Sequence, residues 1–197
     1  MPAAARVLVL CGPSGSGKSR WAAQLSSQHG WPIVRLDDFY KPADDPTLPR
    51  LPDGSVDWDD VGSWHQQAAL DALASLCRTG SAATPVYDIS TSSIVGSGEV
   101  ELAGSAVVVA EGIFAAHTIA PLQELGLLEG AYCVHHNRWV TFARRLLRDL
   151  RERRKPPVML LRRGLRLTFA EPAIVAQQCA LGAIAIRPKA LAKQLAG

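Results

Sequence analysis

No apolar run in this chain is long enough to cross a membrane, which takes about 20 consecutive residues. The opening stretch Met1-Pro2-Ala3-Ala4-Ala5-Arg6 lacks the charged start and long apolar core of a signal peptide, so a cytoplasmic location is the expectation. Cysteine is scarce. Cys11, Cys77, Cys133 and Cys179 are far apart and form no C-x-x-C pair, which excludes a disulfide framework or a zinc ribbon. Aromatic residues make up only 6%, and no separate binding module is visible, so no nucleic-acid partner is expected. Internal repeats and linkers are also missing, and 197 residues suit a single domain, 1–197. The chain does have apolar residues in plenty, 48%, enough for a packed core.

The most informative segment is Gly12-Pro13-Ser14-Gly15-Ser16-Gly17-Lys18-Ser19, a complete G-x-x-x-x-G-K-[ST] phosphate loop. It follows Val7-Leu8-Val9-Leu10-Cys11, which reads as a buried strand, and precedes a helical start at Arg20-Trp21-Ala22. Glycines let such a loop turn several N–H groups onto a phosphate. Gly12, Ser14, Gly15, Ser16, Gly17, Lys18 and Ser19 are therefore the expected nucleotide-binding residues. Lys18 reaches the β- and γ-phosphates, and the Ser19 hydroxyl is placed to ligate Mg²⁺.

Strands and helices alternate along the rest of the chain, as a parallel sheet requires. Pro32–Leu36 reads as a second strand ending on Asp37-Asp38. A helix is expected from Gly62 or Ser63 to Arg78, with Ser63 as its N-cap. Thr84–Asp88 and Val100–Leu102 read as a small hairpin around a polar turn at Ser90–Gly98. Ala106–Ala110 is the clearest core strand and ends on Glu111. A helix around Ile119–Leu128 and a strand Ala131–His135 follow. Asn137 then caps a basic helix from Arg138 to about Arg154, broken by Pro156-Pro157.

Carboxylates at the C-terminal ends of parallel strands lie where ligands bind. Asp37 is placed to orient or deprotonate an acceptor hydroxyl, and Glu111, with Asp37 and Ser19, to hold Mg²⁺. On the basic helix, Arg144, Arg148 and Arg151 fall on one face and could close over transferring phosphate, so Arg144 and Arg148 join Asp37 and Lys18 as catalytic candidates. The lid so defined runs over about 138–165. Adjacent His135 and His136 point to opposite sides of a strand end and read as structural. Trp58 and Trp64 fit an acceptor pocket and a core about equally. A guanine-reading Asn-Lys-x-Asp motif is missing, which argues against a GTPase switch.

Together these segments resemble the uridine kinase and phosphoribulokinase-like branch of P-loop small-molecule kinases over most of residues 1–155. Asp37-Asp38-Phe39-Tyr40 is similar to that family's Asp-x-Phe-Tyr motif, Asp57–Trp64 to its Asn-Phe-Asp-His-Pro-x-x-Phe segment, and Pro85-Val86-Tyr87-Asp88 to its Pro-x-Tyr-Asp motif. Glu111-Gly112-Ile113-Phe114 and Arg144-Arg145-Leu146-Leu147-Arg148-Asp149 resemble its Glu-Gly-Ile-Leu and lid signatures. The resemblance implies an α/β P-loop NTPase fold, with a parallel sheet flanked by helices, a basic helical lid and a small hairpin insertion. It implies a kinase using Mg²⁺ with ATP or another nucleoside triphosphate, with Asp37 as catalytic base and Asp59, Tyr87 and Tyr40 binding the acceptor. The partners implied are ATP and a small-molecule acceptor, with no membrane, and a homo-oligomer is compatible. One departure bears on the acceptor. After Tyr-Asp, uridine kinases usually carry a His and an Arg that read the pyrimidine, whereas this chain has Ile89-Ser90-Thr91-Ser92-Ser93-Ile94. Asp-Asp-Phe-Tyr-Lys-Pro also resembles the matching segment of nicotinamide riboside kinases. A P-loop nucleotide-binding protein without kinase activity is the remaining alternative.

Overall fold

The computed structural model describes residues 4–151, 157–187 and 190. Five strands form one parallel sheet: β1 (Arg6–Cys11), β2 (Ile33–Arg35), β5 (Val107–Glu111), β6 (Leu128–Val134) and β7 (Ile184–Ile186), in the order β2-β5-β1-β6-β7. In β1 the alternation of side chains divides the core in two. Val7, Val9 and Cys11 face one layer with Leu73, Leu76 and Leu122, while Leu8 and Leu10 face the other with Ala22 and Leu25. The first layer includes α2 (Gln66–Thr79) and α3 (Ile119–Glu124), and the second α1 (Lys18–His29). A strand buried on both faces reads as an unbroken apolar run, which is why Val7–Cys11 is so plain in the sequence.

The chain adds β2 and β5 on one side of β1, then β6 and β7 on the other. The loop leaving β1 therefore opens at the point where the strand order reverses, the place where open α/β sheets bind ligands.

Several boundaries differ from the sequence reading. Helix α2 begins at Gln66, because Val61–Ser63 forms a separate 3₁₀ turn capped by Asp60, whose Oδ1 accepts the Gly62 N–H at 2.7 Å. Ser63 does not cap α2. It is buried and its hydroxyl donates to the Asp60 carbonyl at 2.7 Å. The helix expected over Ile119–Leu128 ends at Glu124, where Gly126 turns left-handed (φ 68°) and Leu128 already belongs to β6.

The hairpin is longer than expected. Its strands are β3 (Ser81–Asp88) and β4 (Ser93–Glu101), and residues expected in the turn pair across it, such as Tyr87 with Ile94. Most of the hairpin is not fully buried, so cross-strand bonds hold it and leave no alternating apolar signal. Asp88 Oδ1 closes its turn by accepting the Ser90 N–H at 2.8 Å. β7 was not foreseen, since three residues at a sheet edge carry too short a pattern.

Asn137 does cap α4 (Arg138–Arg151), its Oδ1 accepting the Trp139 N–H at 3.0 Å. Helix α5 (Pro157–Ala180) follows. The side chains of Arg148 and Arg151, and residues 152–156 of the expected lid, lie outside the described residues. Among the described residues no helix is long and apolar enough to cross a membrane.

Candidate active site

The loop from Gly12 to Ser19 takes its shape from three left-handed glycines: Gly12 (φ 140°), Gly15 (φ 84°) and Gly17 (φ 95°). A Cβ at Gly12 would collide with the Val134 carbonyl oxygen, so no larger residue fits between the loop and β6. Gly17 supplies no side-chain cap to α1. The first N–H groups of that helix therefore face the loop's concavity, where the helix dipole favours an anion. Lys18 is buried, and its Nζ donates to the carbonyls of Gly12 (2.9 Å) and Pro13 (3.2 Å). These bonds hold an otherwise costly buried ammonium over the loop that would receive phosphate.

Strand register brings the two candidate carboxylates together. Arg35 at the end of β2 is opposite Glu111 at the end of β5. Two residues further on, Asp37 lies in a short 3₁₀ turn, and its Oδ1 accepts the Ile113 N–H at 2.9 Å. Gly112 makes this approach possible. A Cβ there would stand 2.8 Å from Asp37 Oδ1 and 3.0 Å from Leu36 Cβ. Asp38 turns aside to Arg35, at 3.8 Å.

Glu111 is 5% exposed and hydrogen-bonds with Ser19. Burial pushes its carboxyl above the ordinary range, and the Asp37 charge adds to this, against the pull of Lys18. Its Oε2 is buried without a hydrogen-bond partner. An unsatisfied buried carboxylate oxygen beside a serine hydroxyl at a phosphate loop fits a hard cation. Mg²⁺ is usually held by one or two carboxylates plus substrate phosphates, not by an all-protein cage. Accordingly, no group of three or more potential ligands occurs among the described residues.

The raised carboxyl gives a prediction. Glu111→Gln removes a buried charge at the same volume, so at pH 7 the variant is expected to melt no lower than the parent. Any gain should shrink as pH falls, because protonation of Glu111 relieves the parent of the same charge. The Mg²⁺ concentration for half-maximal activity should rise in the variant. Thermal scans across pH and Mg²⁺ titrations check both parts. A variant that melts well below the parent would show that the carboxylate is structural.

A cluster of aromatic rings packs behind Phe114. Tyr40 packs on Tyr87 and on Phe114, each at 5.8 Å between centroids, and on Trp58 at 6.0 Å. Tyr40 Oη donates to the Trp58 carbonyl (3.1 Å) and Tyr87 Oη to the Lys41 carbonyl (3.3 Å), which orients both rings. Trp64, by contrast, is core: it is buried and its Nε1 donates to the Leu36 carbonyl at 2.7 Å. A cleft of about 320 Å³ runs from Gly12 and Ser14 past Asp59, Phe114 and His117 to Gln178 on α5. Asp59 is ion-paired there with Arg166 of α5 at 2.8 Å. Burial holds the His117 ring below its ordinary range, so it is neutral at pH 7.

The structure thus brings together the loop, Lys18, Ser19, Glu111 and Asp37, with Asp59 lining the cleft beside the loop. Tyr40 packs behind Phe114 of the cleft and Tyr87 behind Tyr40, and neither lines it. Arg144 stands on a different partner, its Nη1 lying 2.9 Å from Nε2 of His136. Arg166, His117 and Gln178 have no counterpart in the sequence reading. Arg166 is one of many basic residues around a helix, and His117 and Gln178 belong to no motif.

Fold and loop together are those of the P-loop NTPase fold. A family model described as an AAA domain (AAA_33) matches residues 7–82, which hold the phosphate loop, Asp37 and Asp59. The fold is shared with solved kinases. A proposed fructose transport system kinase from Silicibacter sp. TM1040 superposes with a TM-score of 0.63 at 16% identity, covering 90% of this chain and 86% of that one. A possible uridine kinase from Bacillus stearothermophilus gives 0.51 at 21% identity over 77% and 82%. A D-glycerate 3-kinase from Cryptococcus neoformans var. grubii gives 0.55 at 16% identity over 87% and 79%. Comparison with curated protein sequences finds no match.

Proposed function

We propose that this chain is an ATP-dependent small-molecule kinase that transfers the γ-phosphate to a hydroxyl of a nucleoside or related polyhydroxylated metabolite. One observation carries the reading. The carboxylate of Asp37 is fixed beside Glu111 by the N–H of Ile113, a residue that itself lines, with Gly12 and Ser14 of the phosphate loop, a cleft sized for a small molecule. A nucleotide-binding switch has no need of a second, separately oriented carboxylate held next to such a cleft.

In the proposed reaction the loop amides and Lys18 hold the β- and γ-phosphates, and Lys18 stabilises charge growing on the transferring group. Glu111, Ser19 and Asp37 would hold Mg²⁺, which neutralises phosphate charge when bound. Asp37 accepts the proton of the attacking hydroxyl, and its bond to Ile113 N–H aims the carboxylate. Asp59 receives the acceptor's other hydroxyls, with Tyr40 and Tyr87 packed behind Phe114 of the cleft. Arg144 and Arg148 close from the lid over the phosphates.

The solved relatives act by name on a sugar, a nucleoside and a hydroxy acid. All three offer a hydroxyl, so the acceptor must be found by assay. Nucleosides including nicotinamide riboside, pantothenate and small sugars, tested for ADP release with Mg-ATP and for a phosphorylated product, decide the class. Because Ile89–Ile94 supplies no base-reading pair, nucleosides that differ only in their base should give kcat/KM values within about tenfold of one another. A kcat/KM for uridine a hundredfold above the other nucleosides would overturn that expectation. Failure of every acceptor with bound ATP intact would favour a nucleotide-binding protein without kinase activity.

A further inference from the structure

We infer that Gln178, on the last turn of α5, is a positioning residue for Asp37. The inference rests on the kinase reading for its functional part. Gln178 is buried, at 6% exposure, in a helix whose neighbouring Gln177 is exposed. Both ends of its amide are engaged. Nε2 donates to the Ile113 carbonyl at 2.9 Å, and Oε1 accepts from the Cys133 thiol at 3.2 Å. The Ile113 carbonyl can only accept, so Nε2 must face it, and that leaves Oε1 toward the Cys133 thiol.

Ile113 is therefore gripped from two sides. Its carbonyl is held by Gln178 and its N–H holds Asp37 Oδ1 at 2.9 Å. The two bonds fix both peptide units that flank the Ile113 Cα. Gly112 precedes Ile113, and glycine leaves the turn little stiffness of its own. Its missing side chain is also what lets Asp37 come so close, since a Cβ there would stand 2.8 Å from Asp37 Oδ1. The Gly112 N–H is tied to the Leu10 carbonyl of β1 at 3.2 Å, and α5 adds a second hold one residue further on, at the group that aims the carboxylate. The same helix holds Arg166 against Asp59 at 2.8 Å. Helix α5 thus joins the loop facing the acceptor to the turn that aims Asp37.

Two variants and two readouts test this. Gln178→Met keeps the volume and removes both bonds. Gln178→Glu keeps an acceptor for Cys133 but cannot donate to Ile113 when ionised. The first readout is hydrogen exchange of the Ile113 amide in the intact protein, which needs no acceptor and is independent of the kinase reading. Both variants should exchange at least about tenfold faster there, while Val109, bonded to the Pro32 carbonyl within the sheet, stays as in the parent. Asp37→Ala should speed the same amide without disturbing Gln178. The second readout is kinetic: kcat should fall about tenfold to a hundredfold, with KM for ATP unchanged, as expected for a displaced reacting group.

Unchanged Ile113 exchange in both Gln178 variants overturns the inference, whatever the activity. So does a parent-like kcat, or a loss of kcat matched by equal losses in ATP affinity and melting temperature. If no acceptor is phosphorylated by the parent, the kinase reading fails alone, and exchange still decides whether Gln178 holds the turn.

Discussion

Replacing Lys18 by Ala is expected to lower kcat by about a hundredfold to a thousandfold, the loss seen when one donor aimed at developing charge is removed, worth about 3–4 kcal/mol. The loss should fall on turnover much more than on folding. Lys18 is buried and its ammonium donates to the carbonyls of Gly12 and Pro13. Removing a buried charge relieves a desolvation cost, which offsets the two lost hydrogen bonds and the lost attraction to the Glu111 carboxylate. The loop's own shape comes from backbone, through its left-handed glycines and the Ser16 N–H bond to the Pro13 carbonyl at 3.1 Å. Melting temperature should therefore change little, while steady-state turnover with Mg-ATP collapses. Turnover within a fewfold of the parent would show that the loop does not carry the reaction.

Glu111 sets an opposing demand. Its carboxyl is pushed up by burial and its Oε2 lacks a partner. Such a group burdens the fold unless a cation meets it. Stability surrendered at one buried atom is the expected mark of a site built for a ligand.

The sequence disclosed the site and the fold unevenly, and the reasons are physical. Val7–Cys11 and Val107–Glu111 were legible because strands buried on both faces must be apolar throughout. Gly12–Ser19 was legible because a backbone cradle for phosphate allows few residue choices. The β3–β4 hairpin was misjudged in length because it is held by cross-strand bonds, which any residue supplies, and its half-exposed faces leave no period. Ser63 was misassigned because a capping serine and a serine buried under a 3₁₀ turn look alike in one dimension. Gln178 and Arg166 stayed hidden because their partners lie 65 and 107 residues away. Only the packing of α5 across the sheet's ligand edge brings those pairs together.

Asp37→Asn is expected to have the largest effect of all, a fall in kcat of about a hundredfold to ten-thousandfold. Asparagine has the same shape, and its Oδ1 can still accept the Ile113 N–H, now made at 2.9 Å, so the turn should keep its place. What the variant loses is the ability to take a proton from the acceptor hydroxyl and one negative charge beside Glu111. ATP affinity, set by the loop, should stay close to that of the parent. The measurement is kcat at saturating acceptor, set beside calorimetric ATP binding on the same sample. Two other carboxylates of the candidate site each already have a partner: Asp38 faces Arg35 at 3.8 Å and Asp59 is paired with Arg166 at 2.8 Å. Each would have to leave its guanidinium before it could take the acceptor's proton. Near-normal turnover in Asp37→Asn would therefore mean that one of these ion pairs opens when the acceptor binds. Asp38→Asn and Asp59→Asn, made in the Asp37→Asn background, would identify which.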